Sequence, residues 1–280
     1  MSCCGRRSTR CGPSRRRPQL PTVDERTEQV YSLQRISSVS ETEMYTARED
    51  GLSSRDDDAS VTTFGNPTDL HILLTLRQKM ETMRTYILDP KKEFISAGTV
   101  GKIPIFFRKF DNHPLVARGE VFVPNVTSLE TIAAAISSDE RHNWDTDVIE
   151  MRKIRDILVA IPSPDFFHEN VSQVYNSFKG RFGFPGRDFV WNTYIAFSET
   201  DLVQLCYSTG DPAEASNQKF VRAETILSGY WVRLIQGGCM IHFINQTDIK
   251  GRLPDWIVDS VVKKSPAKLE QLYTYLIGRT

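Results

Sequence analysis

Residues 253–276 read LPDWIVDSVVKKSPAKLEQLYTYL, and their apolar side chains recur at the spacing of a long amphipathic helix. Pro254 suits the first turn of this helix, and Pro266 predicts a kink in its middle. The apolar stripe is broad and consists of Trp256, Ile257, Val261, Leu269, Leu272, Tyr273, Leu276 and Ile277. Because such a stripe is stable only against another apolar surface, the helix is expected to cover one face of a sheet.

Upstream of this helix, the apolar period is two over much of the chain, which predicts a sheet. Strands are predicted over Phe94–Ala97, Ile103–Phe110 and Val116–Val123 as an antiparallel meander, and over residues 148–161, 171–178, 189–197, 201–208, 221–235 and 239–246. Two shorter helices are predicted, over Leu70–Leu88 before Pro90 and over Ser128–Ile136. This order of elements indicates an α+β fold with a long C-terminal helix.

The first 65 residues differ in composition from the rest of the chain. Residues 1–20 carry six arginines and no acidic residue, whereas residues 21–65 carry ten acidic residues against four arginines. Large apolar side chains are too few in this stretch to offset the entropy of ordering it. We therefore expect a disordered tail over residues 1–65 and one folded domain over residues 66–280.

Two cysteines at the start of the tail, Cys3 and Cys4, stand beside a basic run and are candidates for S-palmitoylation, with Cys11 as a third. Two acyl chains, or one chain with a basic patch, hold a protein stably on an anionic membrane. The tail is thus a candidate membrane tether. The alternative is a tail in which the cysteines are incidental.

The folded part carries 25 basic and 25 acidic residues, so it lacks the positive charge that a nucleic-acid partner requires. Five cysteines in a chain of 280 residues do not indicate a disulfide framework. The sequence has no signal-peptide pattern and no apolar run of about 18 residues or more, the length that spans a bilayer. We predict a cytoplasmic protein.

Motifs of catalysis are missing from the sequence. The five histidines are scattered, and none makes a zinc-ligand spacing with Cys206 or Cys239. Neither a glycine-rich phosphate loop nor a Gly-x-Ser-x-Gly turn occurs. We therefore predict that the protein is not an enzyme and uses no metal or cofactor.

Three segments together resemble the START (steroidogenic acute regulatory protein-related lipid transfer) domain family. They are DERHNWD (Asp139–Asp145), GRDFV (Gly186–Val190), and VRA (Val221–Ala223) followed by DIKGRLPDW (Asp248–Trp256). The resemblance covers roughly residues 66–280 and implies a helix-grip fold, in which a curved antiparallel sheet wraps around the C-terminal helix and an apolar cavity holds one lipid. Burying hydrocarbon is favourable by about 0.8 kcal/mol per CH₂, so such a cavity can extract a lipid from a bilayer.

The resemblance implies a lipid binder that transfers its ligand between membranes, with a lipid and a membrane surface as partners and a monomeric state. A membrane-tethered lipid sensor or scaffold is an alternative function, and a helix-grip enzyme is another. Polar groups inside the cavity must decide which lipid is bound, because an apolar wall does not distinguish headgroups.

The resemblance also implies site residues. Arg141 falls where phospholipid-binding members use an arginine against the phosphate; the alternative is a fold-stabilising ion pair with Asp145. Choline-binding members have an aromatic residue and a tyrosine where this chain has Asn176 and Phe189, which weakens a phosphatidylcholine assignment. Sterol-binding members have an arginine where this chain has Thr193, which weakens a sterol assignment.

Ceramide-binding members use an amide and an acid, which Asn176 and Glu150 would imitate. A phospholipid or a ceramide-like lipid therefore ranks above a sterol. Phe178 and Trp191 are expected to form the cavity wall, and strand alternation places Phe189 on the same cavity-lining face as Trp191. Two aromatic residues in the glycine-rich loop before Gly186, Phe182 and Phe184, are expected either to enter the bilayer or to pack on the C-terminal helix.

Overall fold

The computed structural model describes residues 67–88, 93–159, 161–209 and 219–279. The expected tail, with Cys3, Cys4 and Cys11, lies outside these described residues. In the described part of the chain, no helix has both the length and the apolar character needed to cross a bilayer.

Helix α1 (Pro67–Leu88) ends where the sequence predicts, before Pro90, and begins three residues earlier than predicted. Its first residue is a proline, which suits this position because the N–H of the first helical residue has no partner within the helix. One face of α1 is buried against the sheet through Ile72, Leu73, Leu76, Met80 and Met83.

Ten strands form the sheet: β1 (Ile95–Val100), β2 (Ile103–Phe110), β3 (His113–Pro124), β4 (Val148–Ile157), β5 (His168–Phe178), β6 (Gly186–Phe197), β7 (Asp201–Ser208), β8 (Phe220–Arg222), β9 (Glu224–Ile235) and β10 (Gly238–Asp248). The sheet is curved, and its order is β1-β2-β3-β10-β9-β7-β6-β5-β4, antiparallel at every step. The predicted meander of the first three strands is confirmed.

The predicted strand over residues 221–235 is divided at Ala223. The shorter piece, β8, pairs in parallel with β6 and leaves the main order of the sheet. The Ala223 N–H donates to Asp188 O, and Arg222 forms an ion pair with the Asp188 carboxylate at 2.8 Å. These contacts hold β8 against the start of β6.

The two faces of the sheet are covered by different helices. On the outer face, α1 packs in one cluster with Tyr194, Leu205, Leu227 and Ile244. The inner face carries a second cluster, which includes Leu202, Val232 and Ile241 together with helix α2 (Leu129–Ile136) and the C-terminal segment. Ser128 caps α2, since its Oγ accepts from Thr131 N at 3.1 Å, as the sequence suggests.

The C-terminal segment is helical, as the sequence predicts, and it is interrupted at the predicted kink around Pro266. It forms α3 (Asp255–Lys263), a 3₁₀ turn (Ser265–Ala267) and α4 (Lys268–Ile277). Proline lacks an N–H and clashes with the preceding turn, so Pro266 ends α3 instead of only bending it.

The 3₁₀ turn at Pro266 lies directly on the inner face. A Cβ added to Gly119 of β3 would stand 2.6 Å from Pro266 Cβ, so glycine is required for this close approach. From this turn α4 runs across the sheet and buries Leu269, Leu272 and Leu276. The inner face is therefore filled on the side of β3 and β10.

Candidate functional site

On the other side of the inner face, a row of small polar side chains crosses four neighbouring strands. Strand pairing sets Ser172, Thr193, Cys206 and Ser228 side by side on β5, β6, β7 and β9. The Ser172 and Thr193 hydroxyls form a 2.8 Å hydrogen bond, and Ser228 Oγ donates to Ile244 O at 3.2 Å. Burial raises the pKa of the Cys206 thiol to about 12, so this cysteine stays protonated and unreactive.

An aromatic cluster adjoins this polar row, at the end of β5 and the start of β6. The Phe178 ring lies 5.7 Å from that of Phe189 and 6.0 Å from that of Trp191, and the last two rings are 5.1 Å apart. The Trp191 indole donates to Thr225 Oγ1 at 3.0 Å. The structure thus brings together three residues that the sequence assigns to a cavity wall.

A buried arginine and a partly buried lysine share one carboxylate beside the aromatic cluster. Arg141, in a 3₁₀ helix (Arg141–Asn143), donates from Nε to Asp145 Oδ2 at 2.9 Å. Lys268, the first residue of α4, donates from Nζ to the same oxygen at 3.1 Å. The Asp145 side chain is fully buried, and both cations lie over the Phe178 ring, at 5.9 and 5.2 Å. The pairing of Arg141 with Asp145, the alternative open from the sequence, is present.

The electrostatics of this cluster follow from the shared carboxylate. Burial by itself raises the pKa of Asp145, but the positive charges of Lys268 and Arg141 outweigh it and hold that pKa at about 2. Burial lowers the pKa of Lys268, and the neighbouring guanidinium adds to the lowering. With one carboxylate for two cationic side chains, the cluster favours a further negative charge.

Arg141 also lines a pocket of about 190 Å³ between the end of α2 and the strands β4 to β6; we call it the small pocket. Its lining combines polar residues, among them Arg141, Lys153, Ser172, Thr193 and Gln204, with the apolar residues Ile136, Met151, Val174, Trp191 and Ile195. Among the described residues, neither of the two terminal nitrogens of the Arg141 guanidinium has a hydrogen-bond acceptor. They are therefore available to an acceptor on a ligand.

Two further polar groups on the inner face lack partners among the described residues. Asn176 is fully buried, and neither its amide oxygen nor its nitrogen is hydrogen-bonded. The Tyr230 hydroxyl is in the same situation, and burial raises the pKa of Tyr230 to about 12. Because buried polar groups are nearly always paired, such orphans mark a place where a ligand or water completes the bonding.

The structure separates Glu150 from Asn176, so this acid does not form the expected amide–acid pair. A β-bulge between Val148 and Glu150 shifts the register by one residue. As a result Met151 lies opposite Asn176, whereas Glu150 is exposed and pairs with Arg152 at 3.1 Å.

The loop between β5 and β6 presents the two predicted aromatic residues differently. Phe182 is 60% exposed, and Phe184 is half-buried. The Phe182 ring lies edge-on, 6.1 Å from that of Trp256, which is itself 63% exposed in the first turn of α3. The sequence places Trp256 on the buried stripe of the last helix; the structure instead joins it to Phe182 on the surface.

A second pocket, of about 460 Å³, lies at the other end of α2; we call it the large pocket. Its lining consists of Thr127, Leu129, Glu130, Phe167, His168, Phe197, Ser198, Glu199 and Leu234. The sequence gives no sign of it, because the lining comes from four separate segments of the chain.

The interior is less hollow than the resemblance implies. Small-molecule sites hold about 300–1,000 Å³, and the small pocket beside Arg141 holds about 190 Å³. In this closed form α4 occupies the inner face beside it. A whole lipid therefore fits only when the covering helices move away from the sheet.

Known proteins are similar to this chain in sequence and in fold. The START domain model matches residues 97–269. START domain-containing protein 10 of Homo sapiens is 28% identical over 138 residues, 48% of this chain and 43% of that protein. Homeobox-leucine zipper protein HOX9 of Oryza sativa subsp. japonica is 35% identical over 85 residues, 28% of this chain and 10% of that protein. The chain thus spans only a tenth to under a half of these relatives' length.

Among solved structures, human StAR-related lipid transfer protein 5 has a TM-score of 0.63 at 18% identity, covering 74% of this chain and 96% of that one. Human STARD10 has a TM-score of 0.59 at 20% identity, covering 70% and 78%. Both confirm the curved antiparallel sheet with a C-terminal helix. Since the family model spans more than half of the sequence, this chain belongs to the START domain family.

Proposed function

We propose that the domain binds one lipid between the inner face of the sheet and helices α2 and α4, and carries it between membranes. The ligand is a phospholipid or a ceramide-like lipid, not a sterol, and it leaves chemically unchanged. Membership of the START family supports this proposal, as does the name of a structural relative, StAR-related lipid transfer protein 5.

The observation that carries the headgroup assignment is the Arg141–Asp145–Lys268 cluster. The buried Arg141 and the partly buried Lys268 share one carboxylate beside the small pocket. A phosphate at the free end of Arg141 would balance this charge and accept paired hydrogen bonds from the guanidinium. A sterol or a ceramide carries no charge and would leave the imbalance in place, so this cluster favours the phospholipid, and the ceramide-like alternative rests on Asn176.

Asn176 and Tyr230 support a ligand with several polar atoms. The unpaired amide of Asn176 and the unpaired hydroxyl of Tyr230 are buried on the inner face of the sheet, part of which is covered by α4. An amide linkage supplies a donor and an acceptor, and an ester linkage supplies acceptors alone. Either linkage can therefore complete part of this bonding. Phe178, Phe189 and Trp191 then form an apolar wall beside the headgroup.

Entry of the ligand requires α4 to move away from the sheet. We expect this movement to start at the exposed aromatic pair, Phe182 and Trp256. Phe182 has a left-handed backbone (φ 55°), which is rare for a bulky residue and marks a strained, functional loop. The rings of Phe182 and Trp256 would enter the bilayer, with Phe184 behind them, and hold the loop and α3 at the membrane. The candidate acylation sites Cys3 and Cys4 would tether the cytoplasmic, monomeric protein to that membrane.

Lipid capture tests the headgroup assignment. Purified protein is mixed with vesicles of phosphatidylcholine, phosphatidylethanolamine, ceramide and cholesterol, and the bound lipid is identified by native mass spectrometry. We expect phospholipid or ceramide in a one-to-one complex, and loss of phospholipid in Arg141→Met. The control is Arg152→Met, because Arg152 is an exposed arginine on β4. Preferential capture of cholesterol would refute the assignment.

Transfer of the captured lipid from donor to acceptor vesicles separates a carrier from a sensor, which binds its ligand but moves none. Phe182→Ala with Trp256→Ala should slow transfer without changing the bound lipid. Cys3→Ser with Cys4→Ser should move the protein from the membrane fraction to the soluble fraction of cells. An unchanged transfer rate or an unchanged membrane fraction would remove the corresponding part of the proposal.

A further inference from the structure

The small and large pockets lie along the same two strands. On β6, Thr193 and Ile195 line the small pocket, and Phe197, the next residue on that face, lines the large one. On β5, Asn170 lines the small pocket and His168 the large one. The floor therefore continues from one pocket to the other without changing strands.

Helix α2 forms a wall beside this floor. Its last residue, Ile136, lines the small pocket, and its first residues, Leu129 and Glu130, line the large one. Between them Ala133 is half-buried, as is Ile195 on the floor. The two pockets thus lie at opposite ends of α2, over the same two strands β5 and β6; we call the surface that runs from one pocket to the other the α2 groove.

Both ends of the α2 groove combine polar and apolar side chains. The small pocket sets Arg141, Ser172, Thr193 and Gln204 beside Val174, Trp191 and Ile195. At the large pocket the walls are Leu129, Phe167, Phe197 and Leu234, and Phe167 is 61% exposed despite its size. An exposed apolar surface of this kind favours contact with hydrocarbon.

The charges at the large pocket exclude one orientation of a ligand. Its rim carries Glu130 and Glu199, with His168 as the one basic side chain among the lining residues. Two carboxylates disfavour an anionic headgroup at this end, whereas at the small pocket Arg141 and Lys153 outweigh the one carboxylate, Asp139, and favour it. A ligand with one anionic head and one hydrocarbon chain can therefore lie in the groove in one direction.

We propose that the large pocket receives the far end of the lipid's hydrocarbon chain, so that the ligand lies along α2 with its head at Arg141 and its tail emerging at the start of α2. This assignment rests on the proposed function and adds the direction of the ligand and a second opening. Chains longer than the interior are accommodated because their ends reach the outside through the large pocket.

Chain length is the property that tests this proposal. At about 3.3 Å per strand residue, the step from Thr193 to Phe197 covers roughly 13 Å. An octyl chain is shorter than this step, and a hexadecyl chain is longer. We would measure the affinities of octyl, dodecyl and hexadecyl phosphate by calorimetry below their aggregation concentrations.

Two variants fill the large pocket: Leu234→Trp on its wall and Thr127→Trp at its exposed rim. Leu74→Trp is the matched control, because Leu74 is exposed on α1, on the opposite face of the sheet. In the wild type each added methylene should tighten binding by about fourfold, the equivalent of a buried CH₂. In the filled variants this gain should stop beyond the short chains, so that hexadecyl phosphate binds at least tenfold more weakly than to the wild type.

Unchanged octyl phosphate binding shows that a variant is folded and that the Arg141 end is intact. The proposal is overturned if both filled variants bind hexadecyl phosphate as tightly as the control does. Because Thr127 is exposed, its variant keeps the test valid should Leu234→Trp fail to fold. Absence of any alkyl phosphate binding in the wild type would instead overturn the proposed function, and this inference with it.

Discussion

Beneath α4, the inner face of the sheet is packed side chain to side chain, whereas beside α2 the same face borders two pockets. On the packed side, Leu269, Leu272 and Leu276 meet the apolar residues of β3 and β10. On the open side, β5 and β6 carry Ser172 and Thr193, whose hydroxyls bond to each other, and Asn176, whose amide lacks any partner among the described residues.

The difference separates the residues that stabilise the domain from the residues that can bind a ligand. Close-packed apolar contacts stabilise the folded state, and opening a cavity among them lowers the free energy of unfolding. Unpaired polar groups and shared charges lower stability, so a protein keeps them where a ligand repays the cost. The open side therefore has the character of a binding site, and the packed side has the character of a core.

The largest expected effect comes from a matched pair of isoleucines on the two sides. Ile241→Ala, under α4, should lower the free energy of unfolding by about 2 to 5 kcal/mol, because it leaves a cavity in a packed region. Ile195→Ala should lower it by about 1 kcal/mol, since this side chain is half-buried and already borders a pocket. Urea unfolding followed by circular dichroism measures both, and equal losses would contradict the comparison.

The contact of Gly119 with Pro266 tests how tightly the packed side is closed. Gly119→Ala places a Cβ 2.6 Å from Pro266 Cβ, and such overpacking should lower the free energy of unfolding by about 1 to 3 kcal/mol. Adding Pro266→Gly removes the clashing atom. The double variant should lose less than the sum of the single losses; strict additivity would show that the two residues are not coupled.

The pH dependence of stability should report on the buried carboxylate next to Arg141. The pKa of Asp145 is about 2 in the folded state against an ordinary 3.8, so its contribution is present above pH 3.8 and is lost as the pH falls through 2. That contribution amounts to up to about 2 kcal/mol. Asp145→Asn should remove this part of the acid dependence in urea titrations between pH 5 and pH 2, a window set by the same two pKa values.

A second carboxylate titrates in the same range and serves as the control. The pKa of Glu120 is lowered to about 2 by His242, whose Nδ1 lies 3.5 Å from the carboxylate, and by Arg118, which donates to it at 3.0 Å. Glu120→Gln should therefore remove its own share and leave that of Asp145. If Asp145→Asn keeps the full acid dependence of the wild type, the assigned shift is refuted.

The smallest expected effect on stability comes from Asn176. Asn176→Leu replaces an unpaired buried amide with an apolar group of similar size, so stability should stay the same or rise by about 1 kcal/mol. Capture of phospholipid or ceramide should fall, which native mass spectrometry would show. A large loss of stability would mean that the amide is satisfied in the unliganded protein.

Local features of the fold follow from the sequence because short stretches encode them. The period of two in Ile103–Phe110 predicts a strand whatever its neighbours are, and the Ser128 hydroxyl finds the Thr131 N–H within one turn. Pro266 interrupts a helix in any context. The family motifs add the wall residues Phe178, Phe189 and Trp191, which do come together.

Other site features could not be predicted, and each has a physical cause. A single bulge moves Glu150 to the exposed face, and no local pattern announces a bulge. Trp256 lies on the apolar stripe of the sequence, yet its side chain in the first turn of α3 is exposed to solvent. The large pocket needs residues from four segments of the chain.

The sequence by itself determined the class of the fold, the order of its elements and the family, because hydrophobic period, caps and motifs are local properties. The tertiary structure alone decided that Lys268 joins Arg141 on one carboxylate, and that α4 closes one half of the inner face while α2 leaves the other half open. Contacts between residues more than a hundred positions apart depend on how the whole sheet curves and pairs. The chemistry of the site arises from those contacts.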